Sequence, residues 1–203
     1  MFALDRETME DYAAYNSRVI HVGNSIVCHP WKERPLPGEP VRLLYAGRLS
    51  AVKNVGPIIE AAAEWEKDCT LDILGDGEER EMLEEEAHGS KRIRFRGAVT
   101  PDEVQKVMGE ADMLVMNSTF EGIPMIILEA VSTGLPVVTT DVGGIKEVLT
   151  YGLDSEVTDG SVQGIRDAME RVLSDYARHS RAAWEKSLQF DYGKVNRKVF
   201  EVL

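Results

Sequence analysis

Short apolar runs alternate with amphipathic stretches from residue 41 onward, and this alternation predicts the secondary structure. The apolar runs predict five strands, at 41–47, 70–76, 92–97, 111–117 and 135–140. Helical spacing of apolar residues predicts five helices, at 57–67, 78–87, 102–108, 124–133 and 145–149. Strands that alternate with helices indicate βαβ units with right-handed crossovers. We therefore predict an α/β fold, an open parallel sheet with helices on both faces.

The two ends of the chain depart from this alternation. Residues 1–40 include HPWKERPLPGEP, whose prolines are typical of a linker, so we predict an N-terminal segment and linker over 1–40 and a single domain over 41–203. Within that segment, RVIHVGNSIV predicts a short strand and turn. Near the other end, the polar stretch 151–160 predicts a short edge strand. The tail is predicted to be helical from 161–175 and through two further segments to Leu203.

Composition narrows the class of protein. The net charge of −12 argues against a nucleic-acid binder, which would show a basic face. Cys28 and Cys69 are the two cysteines, and neither has the spacing of a zinc site, so we predict no metal. A cytoplasmic location is favoured by three observations. The two thiols are isolated, the N-terminus carries acids where a signal sequence would be basic, and no apolar run is long enough to span a membrane. Peripheral membrane contact stays open.

The predicted sheet indicates where a ligand would bind. In open α/β sheets, ligands bind beyond the carboxyl ends of the strands. The loops that follow Ala46, Leu74, Phe95, Met116 and Thr140 should therefore meet along one edge, which we call the carboxyl edge.

The first of these loops carries two cations. Gly47 ends the strand, and Arg48 and Lys53 follow it in an otherwise acidic chain. A forked guanidinium and a mobile ammonium on one loop can grip a diphosphate. The alternative is a pair of ordinary surface cations.

The fourth loop, within TFEGIPMIILEA, carries two carboxylates. Pro124 suits the first turn of a helix, and we expect Gly122 to adopt a backbone conformation closed to other residues. The amides of 122–125 would then face the carboxyl edge at the positive end of the helix. Glu121 on the loop and Glu129 inside the helix could accept hydrogen bonds from sugar or ribose hydroxyls; the alternative is two solvated acids.

The remaining loops leave more than one interpretation open. LGDGEER has a Gly-x-Gly turn but Arg80 in place of the third glycine, so a phosphate loop and a tight turn are both possible. Thr100 and Glu103 have the spacing of a helix cap, and the small turn 97–99 beside them offers backbone groups that could read a base. The glycine pair 143–144 could approach a ligand or simply turn the chain.

Six sequence blocks between Val41 and Leu149 carry a family resemblance: YAGRLSAVKN, LDILGDGEER, IRFRGAVTPDEV, EGIPMIILEA, STGLPVVTTDVGG and IKEVL. In order and spacing they resemble the C-terminal, nucleotide-sugar-binding half of a GT-B glycosyltransferase, of the large retaining family 4 type. Glu121 and Glu129 match the E-x7-E motif of that family. The resemblance implies a Rossmann-like domain over 41–203 with a helical C-terminal tail.

The resemblance also implies roles for individual residues. Arg48 and Lys53 match the basic pair that binds the donor diphosphate and stabilises the leaving nucleotide. Glu121 matches the glutamate near the donor sugar, and Glu129 the one that binds the ribose. The resemblance also implies substrate-binding backbone positions. These are Gly47 after the first strand, Gly97 and Val99 in the base-contacting turn, and Gly122, Ile123 and Met125 at the helix end.

The implied function is a glycosyltransferase of hexosyltransferase type. No Asp-x-Asp is present, so we expect no metal and no cofactor beyond the nucleotide-sugar donor. The chain lacks room for the family's first domain, which supplies the acceptor site, and the family's linker motif appears as GNSIV. We expect the chain to need that N-terminal acceptor domain, in cis or in trans, and to transfer little alone. The alternatives are a nucleotide-sugar epimerase of GT-B fold and a non-catalytic subunit of a split enzyme.

Overall fold

The computed structural model describes residues 2–3, 6–15, 20–21 and 23–200. Near the N-terminus, strands β1 (Phe2–Ala3) and β2 (Ile20–His21) pair in parallel, and helix α1 (Arg6–Ala13) connects them in the chain. β2 falls in the stretch for which the sequence predicts a short strand and turn. Residues 18–19 and 22 of that stretch, and 201–203 of the predicted helical tail, lie outside the described residues.

The main sheet has six strands, all parallel. They are, in chain order, β3 (Val41–Ala46), β4 (Cys69–Leu74), β5 (Ile93–Gly97), β6 (Met113–Val115), β7 (Val137–Thr140) and β8 (Ser155–Thr158). Across the sheet the order is β5-β4-β3-β6-β7-β8. The chain builds outward from β3 in one direction and then outward from β6 in the other. This doubly wound order leaves a crevice between the carboxyl ends of β3 and β6.

Helices cover both faces of the sheet. One face carries α2 (Gly56–Ala63), α3 (Arg80–Glu86) and α7 (Val162–Ser174); the other carries α4 (Pro101–Glu110), α5 (Met125–Ser132), α6 (Ile145–Val148) and α8 (Tyr176–Ser187). The last helix is α9 (Tyr192–Phe200). No helix within the described residues combines the length and the apolar character that a membrane crossing requires.

Strand β3 shows why two helical layers form. Leu43 and Tyr45 belong to the core on one side of the sheet, and Leu44 and Ala46 belong to the core on the other, with all four buried. Because successive side chains of a strand point to opposite faces, a strand with buried apolar residues on both faces must be covered twice. The predicted α/β architecture is confirmed.

Predicted and observed elements agree in order and differ at their ends. The polar stretch 151–160 provides the edge strand β8, as predicted. The predicted extension of α2 to Lys67 is wrong, because the helix ends at Ala63. Beyond it, Trp65 is 5% exposed, and its indole N–H donates to Glu170 of α7 at 2.9 Å. Burying this indole against α7 takes the chain off the helical path.

Part of the predicted N-terminal segment and linker, within residues 23–40, contacts the domain. Ile26 is buried and forms a backbone bridge with Asp191. The Arg34 guanidinium donates to the carbonyl oxygens of Met108 at 3.1 Å and Thr133 at 3.3 Å, near the C-terminal ends of α4 and α5. A guanidinium suits these positions because the last carbonyls of a helix lack intrahelical donors.

Candidate functional site

The crevice between β3 and β6 is closed at its base by direct contacts between two loops. The loop after β6 donates from the Thr119 N–H to the carbonyl oxygen of Val52 at 2.8 Å. It also donates from the Asn117 amide to the carbonyl oxygen of Asn54 at 3.2 Å. The first predicted loop, 46–54, and the fourth therefore form one structural unit at the carboxyl edge.

Lys53 and Glu121 meet at this junction. Their Nζ and Oε1 atoms are 2.5 Å apart, and their side chains are 24% and 7% exposed. The same carboxylate oxygen accepts a hydrogen bond from Ser118 Oγ at 2.6 Å. A largely buried carboxylate needs such partners to offset the loss of its hydration. The structure thus places a half-buried cation and a fixed carboxylate side by side at the switch point of the sheet.

Arg48 lies on the same loop but is oriented differently. Its side chain is 71% exposed and pairs with Glu78 at 3.1 Å. The pKa of the Glu78 carboxyl is lowered, first by a hydrogen bond from the backbone N–H of Glu78 itself and then by the positive charge of Arg48. Below Arg48, the buried Tyr45 hydroxyl donates to the Arg48 carbonyl oxygen at 2.8 Å. The backbone of the loop is therefore fixed while its guanidinium stays accessible to a ligand.

A cavity of about 410 Å³ opens on the carboxyl edge beside this loop. Its lining includes Gly47, Gly75, Ala98, Val99, Ile126 and Glu129. Three predicted substrate-binding residues, Gly47, Val99 and Glu129, thus share one cavity although they come from three different loops or helices. The lining is mostly apolar with one carboxylate, a composition that suits a flat ring with attached hydroxyls.

Glu129 is the one acidic side chain that lines this cavity. It lies on the second turn of α5, between the buried Leu128 and Ala130. Burial raises the pKa of its carboxyl, and a hydrogen bond from the Gln105 amide at 3.2 Å partly offsets that effect. A half-buried carboxylate with a single amide partner retains unused acceptor capacity. Glu129 is therefore able to accept hydrogen bonds from a ligand.

The N-terminus of α5 has backbone amides without described hydrogen bonds. Pro124 caps the helix, and the backbone N–H groups of Ile123 and Met125 find no acceptor among the described residues. Gly122 donates no described hydrogen bond either, and its carbonyl oxygen accepts from Gly144 N–H at 3.1 Å. The positive end of the helix dipole lies behind these groups, so the arrangement favours an anion.

The expected special conformation at Gly122 is wrong. Its φ lies outside the left-handed region, and open space surrounds the position of a Cβ. The left-handed glycine is Gly143 of the neighbouring loop, with φ of 55°. A Cβ on Gly143 would collide with the carbonyl oxygen of Glu121. The pair 143–144 therefore allows close backbone packing against the loop that carries Glu121.

The Gly-x-Gly turn of the second loop has a packing explanation. A Cβ on Gly75 would collide with the carbonyl oxygen of Gly47, and one on Gly77 with that of Leu49. Gly75 also donates its N–H to the carbonyl oxygen of Gly97 at 2.8 Å, where Gly97 has φ of 73°. These contacts support the tight-turn interpretation. Gly97 therefore supports the turn 97–99 from behind, while Ala98 and Val99 line the cavity.

Sequence reasoning missed several side chains that hold the site together. Asn117, Ser118 and Tyr45 contact the loops that carry Lys53, Glu121 and Arg48. Asn117 and Ser118 follow a buried strand at the carboxyl edge, and polar residues in that position could have been predicted from the sequence to contact the site loops. The apolar run 41–47 predicts Tyr45 to be a core residue, and nothing in the sequence indicates the contact of its hydroxyl group.

A second cavity of similar size, about 400 Å³, lies elsewhere. It is lined by residues of the N-terminal segment, such as Pro30 and Pro35, and by Gly109 and Thr133 at the C-terminal ends of α4 and α5. Those helix ends lie at the opposite edge of the sheet from the cavity with Glu129. None of the predicted site residues lines this second cavity.

Comparison with known proteins identifies the family. The model of the family "Glycosyl transferases group 1" matches residues 40–175. Glycogen synthase of Mycobacterium tuberculosis is 29% identical over 207 residues, which cover 95% of this chain and 50% of that protein. Alpha-D-kanosaminyltransferase of Streptomyces kanamyceticus is 32% identical over 148 residues, which cover 70% of this chain and 38% of that protein.

A solved structure agrees at the level of the fold. The crystal structure of Anabaena Alr3699/HepE in complex with UDP and glucose aligns with a TM-score of 0.81 at 19% identity, covering 98% of this chain and 61% of that one. The chain spans half or less of the two curated relatives above. The chain therefore belongs to the group 1 glycosyl transferases and has the fold of the C-terminal half of a GT-B glycosyltransferase.

Proposed function

We propose that this chain is the donor-binding domain of a retaining glycosyltransferase of hexosyltransferase type. It binds a nucleoside-diphosphate sugar, and the glycosyl group passes to an acceptor held by another domain. The observation that carries the proposal is the placement of Lys53 and Glu121, paired at 2.5 Å, at the crevice between β3 and β6. Free helix amides and a cavity with a carboxylate lie on the same edge.

The donor fits this edge in one order. The base lies in the cavity against the turn at Ala98–Val99, and the ribose hydroxyls donate to Glu129. The diphosphate lies between Arg48, Lys53 and the amides of α5. The sugar then reaches Glu121. Support for this order comes from the cavity lining and from the positions of the cations, since each donor group meets side chains or amides of complementary chemistry.

The chemistry we propose is electrostatic. Transfer breaks the bond between the anomeric carbon and the diphosphate oxygen, and that oxygen takes the electron pair. The acceptor hydroxyl oxygen forms the new bond to the anomeric carbon, and its proton passes to the leaving diphosphate. The two cations and the amides stabilise this developing charge, in a site that is partly shielded from water. In this proposal the positive charge comes from side chains and amides, with no metal or other cofactor.

We further propose that the acceptor is held by a separate domain, in cis or in trans. We assign the carboxyl edge of this chain to the donor. The two curated relatives are about twice the length of this chain or more, so they have room for a second domain. As an isolated domain the chain then binds donor and transfers little. Any contact with a membrane surface would come through the acceptor domain.

Ligand-dependent stabilisation tests donor binding. UDP, GDP and ADP are each added to the protein at millimolar concentration, and the thermal unfolding midpoint is measured. A ligand at 100 times its dissociation constant adds about 2.7 kcal/mol to the free energy of unfolding, which shifts the midpoint measurably. Structural neighbours solved with UDP make it the first choice.

Matched variants give this experiment its control. We expect Arg48→Ala and Lys53→Ala each to reduce the shift, whereas Lys91→Ala, which removes an exposed cation just before β5, should leave it unchanged. No shift with any of the three nucleotides would refute donor binding. A shift that survives the combined removal of Arg48 and Lys53 would refute the roles of these two residues.

A further inference from the structure

Asn117 occupies an unusual position at the carboxyl end of β6. Its side chain is fully buried. The amide nitrogen donates to the carbonyl oxygen of Asn54 at 3.2 Å and to that of Gly160 at 3.1 Å. Its Oδ1 is the one buried side-chain polar atom in the described part of the chain that lacks a partner. Asn117 thus ties the loop after β3 to the loop between β8 and α7.

The bond to Asn54 acts on the residue directly after Lys53. Asn54 is in the left-handed conformation, with φ of 47° and ψ of 56°, and it ends the 3₁₀ turn Ala51–Lys53. On the other side of Lys53, the carbonyl oxygen of Val52 accepts from Thr119 N–H. The backbone is therefore held to the β6 loop on both sides of Lys53.

The unpaired oxygen shows that the amide is not present simply to fill space. A buried oxygen without a donor costs free energy, and an apolar side chain of similar size would avoid that cost. What an apolar side chain cannot supply is two N–H donors for two backbone carbonyl groups, and a carboxylate cannot supply them either. The residue is therefore explained by the two loops that it joins.

We propose that Asn117 is a positioning residue for Lys53, and this rests on the proposed function in which Lys53 binds the donor diphosphate. By holding the carbonyl group of Asn54, Asn117 fixes the direction in which the Lys53 side chain leaves the loop. It thereby keeps the ammonium group beside Glu121 and at the crevice. The residue acts on diphosphate binding through Lys53 and has no contact with the base or the ribose.

A double-mutant cycle tests this proposal. Calorimetry measures the affinity of whichever of UDP, GDP or ADP binds best, and of the matching nucleoside. The proteins are the wild type, Asn117→Leu, Lys53→Ala and the double variant. We expect Asn117→Leu to weaken the nucleoside diphosphate about tenfold, a coupling typical of residues in one network, and to leave the nucleoside unchanged. In the Lys53→Ala background the same change should have no further effect.

Two additional variants separate positioning from general stability. Ser180→Ala removes another buried hydrogen bond, to the carbonyl oxygen of Gly134 at 2.8 Å, at a distance in the chain from every site loop. It should lower the unfolding midpoint without changing nucleotide affinity. Asn117→Ser keeps one donor and should give an intermediate affinity; it also carries the test if Asn117→Leu does not fold.

The possible outcomes are distinct. If the wild type binds no nucleotide, the proposed function and this inference both fail. If Lys53→Ala weakens binding but both Asn117 variants bind as the wild type does, only the positioning role is overturned. An equal loss with and without Lys53, or an equal loss for the nucleoside, would also overturn it, because Asn117 would then act by another route.

Discussion

At the residue scale, the site consists of charged groups held partly out of water by named partners. Lys53 and Glu121 neutralise each other, with Ser118 as a further donor to the carboxylate. Glu129 is held in a mostly apolar cavity with the Gln105 amide as its partner. Such groups cost stability when a ligand is absent, and that cost is typical of residues kept for binding.

Glu129 gives the first prediction. Because burial raises the pKa of its carboxyl, the folded protein holds this proton more tightly than the unfolded chain does. Its contribution to stability is then full below its ordinary pKa and is lost as pH rises through the higher folded pKa. We expect Glu129→Gln to be at least as stable as the wild type at neutral pH, with a stability difference that grows as the pH rises above the ordinary glutamate pKa of about 4.3. Urea unfolding of both proteins across this range measures it.

The same variant should bind nucleoside more weakly. Hydrogen bonds to a charged acceptor are worth about 1.5–3 kcal/mol, so the affinity should fall roughly tenfold or more. Greater or equal stability together with weaker binding would mark Glu129 as a ligand-binding residue. If Glu129→Gln loses stability and keeps nucleoside affinity, its role is structural and the ribose assignment is incorrect.

Glu121 gives a prediction of opposite sign. In the ligand-free protein its carboxylate holds Lys53, and a diphosphate must compete for the same ammonium group. Glu121→Gln removes both the competitor and a negative charge near the phosphates, so we expect nucleoside diphosphate affinity to rise by a few fold to about tenfold. Calorimetry measures the change, and Glu110→Gln serves as the control at the end of α4. Weaker binding by Glu121→Gln would mean that Lys53 does not contact the diphosphate.

At the element scale, the site depends on how neighbouring loops support one another. The loop with Glu121 rests on Gly143, whose left-handed φ of 55° brings its Cα against the Glu121 carbonyl group. The loop with Arg48 packs closely against Gly75 and Gly77, because a Cβ on either glycine would collide with a backbone carbonyl oxygen of that loop. These glycines determine how closely the loops that follow β3, β4, β6 and β7 can approach one another.

Two glycine substitutions test this dependence. Gly143 and Gly152 both have left-handed φ, of 55° and 76°, but a Cβ on Gly152 would meet open space. We expect Gly152→Ala to cost about 1–2 kcal/mol of backbone strain and to leave nucleotide affinity unchanged. Gly143→Ala should cost more, because it displaces the Glu121 loop, and it should also weaken binding. Equal effects of the two substitutions on stability and affinity would contradict the proposed support.

Much of this arrangement is predictable from the sequence, and the exceptions have a common cause. Strands, helices, their order and the shared carboxyl edge follow from local apolar patterns, and the predicted helix cap at Thr100 forms, accepting from Glu103 N–H at 3.3 Å. The left-handed glycine was expected at position 122 and occurs at 143, because the crowding comes from a loop distant in the chain. The pairing of Arg48 with Glu78 and the contacts of Asn117 are likewise non-local.

At the scale of the whole molecule, the doubly wound sheet explains why these loops form one site. The strand order reverses between β3 and β6, so the loops after these two strands meet at the switch point of the sheet, where ligands bind in folds of this kind. The cations come from the first of these loops, and the carboxylate and helix amides come from the second. The acceptor side of the cleft belongs, in our proposal, to another domain.

The central claim is that Arg48 and Lys53 bind a diphosphate. The most direct test is the ratio of affinities for a nucleoside diphosphate and its nucleoside, measured by calorimetry for the wild type and for the variant that lacks both cations. We predict a large ratio in the wild type, one that collapses by about a hundredfold in the variant, while nucleoside affinity stays the same. A ratio that is equal in the two proteins would contradict the account.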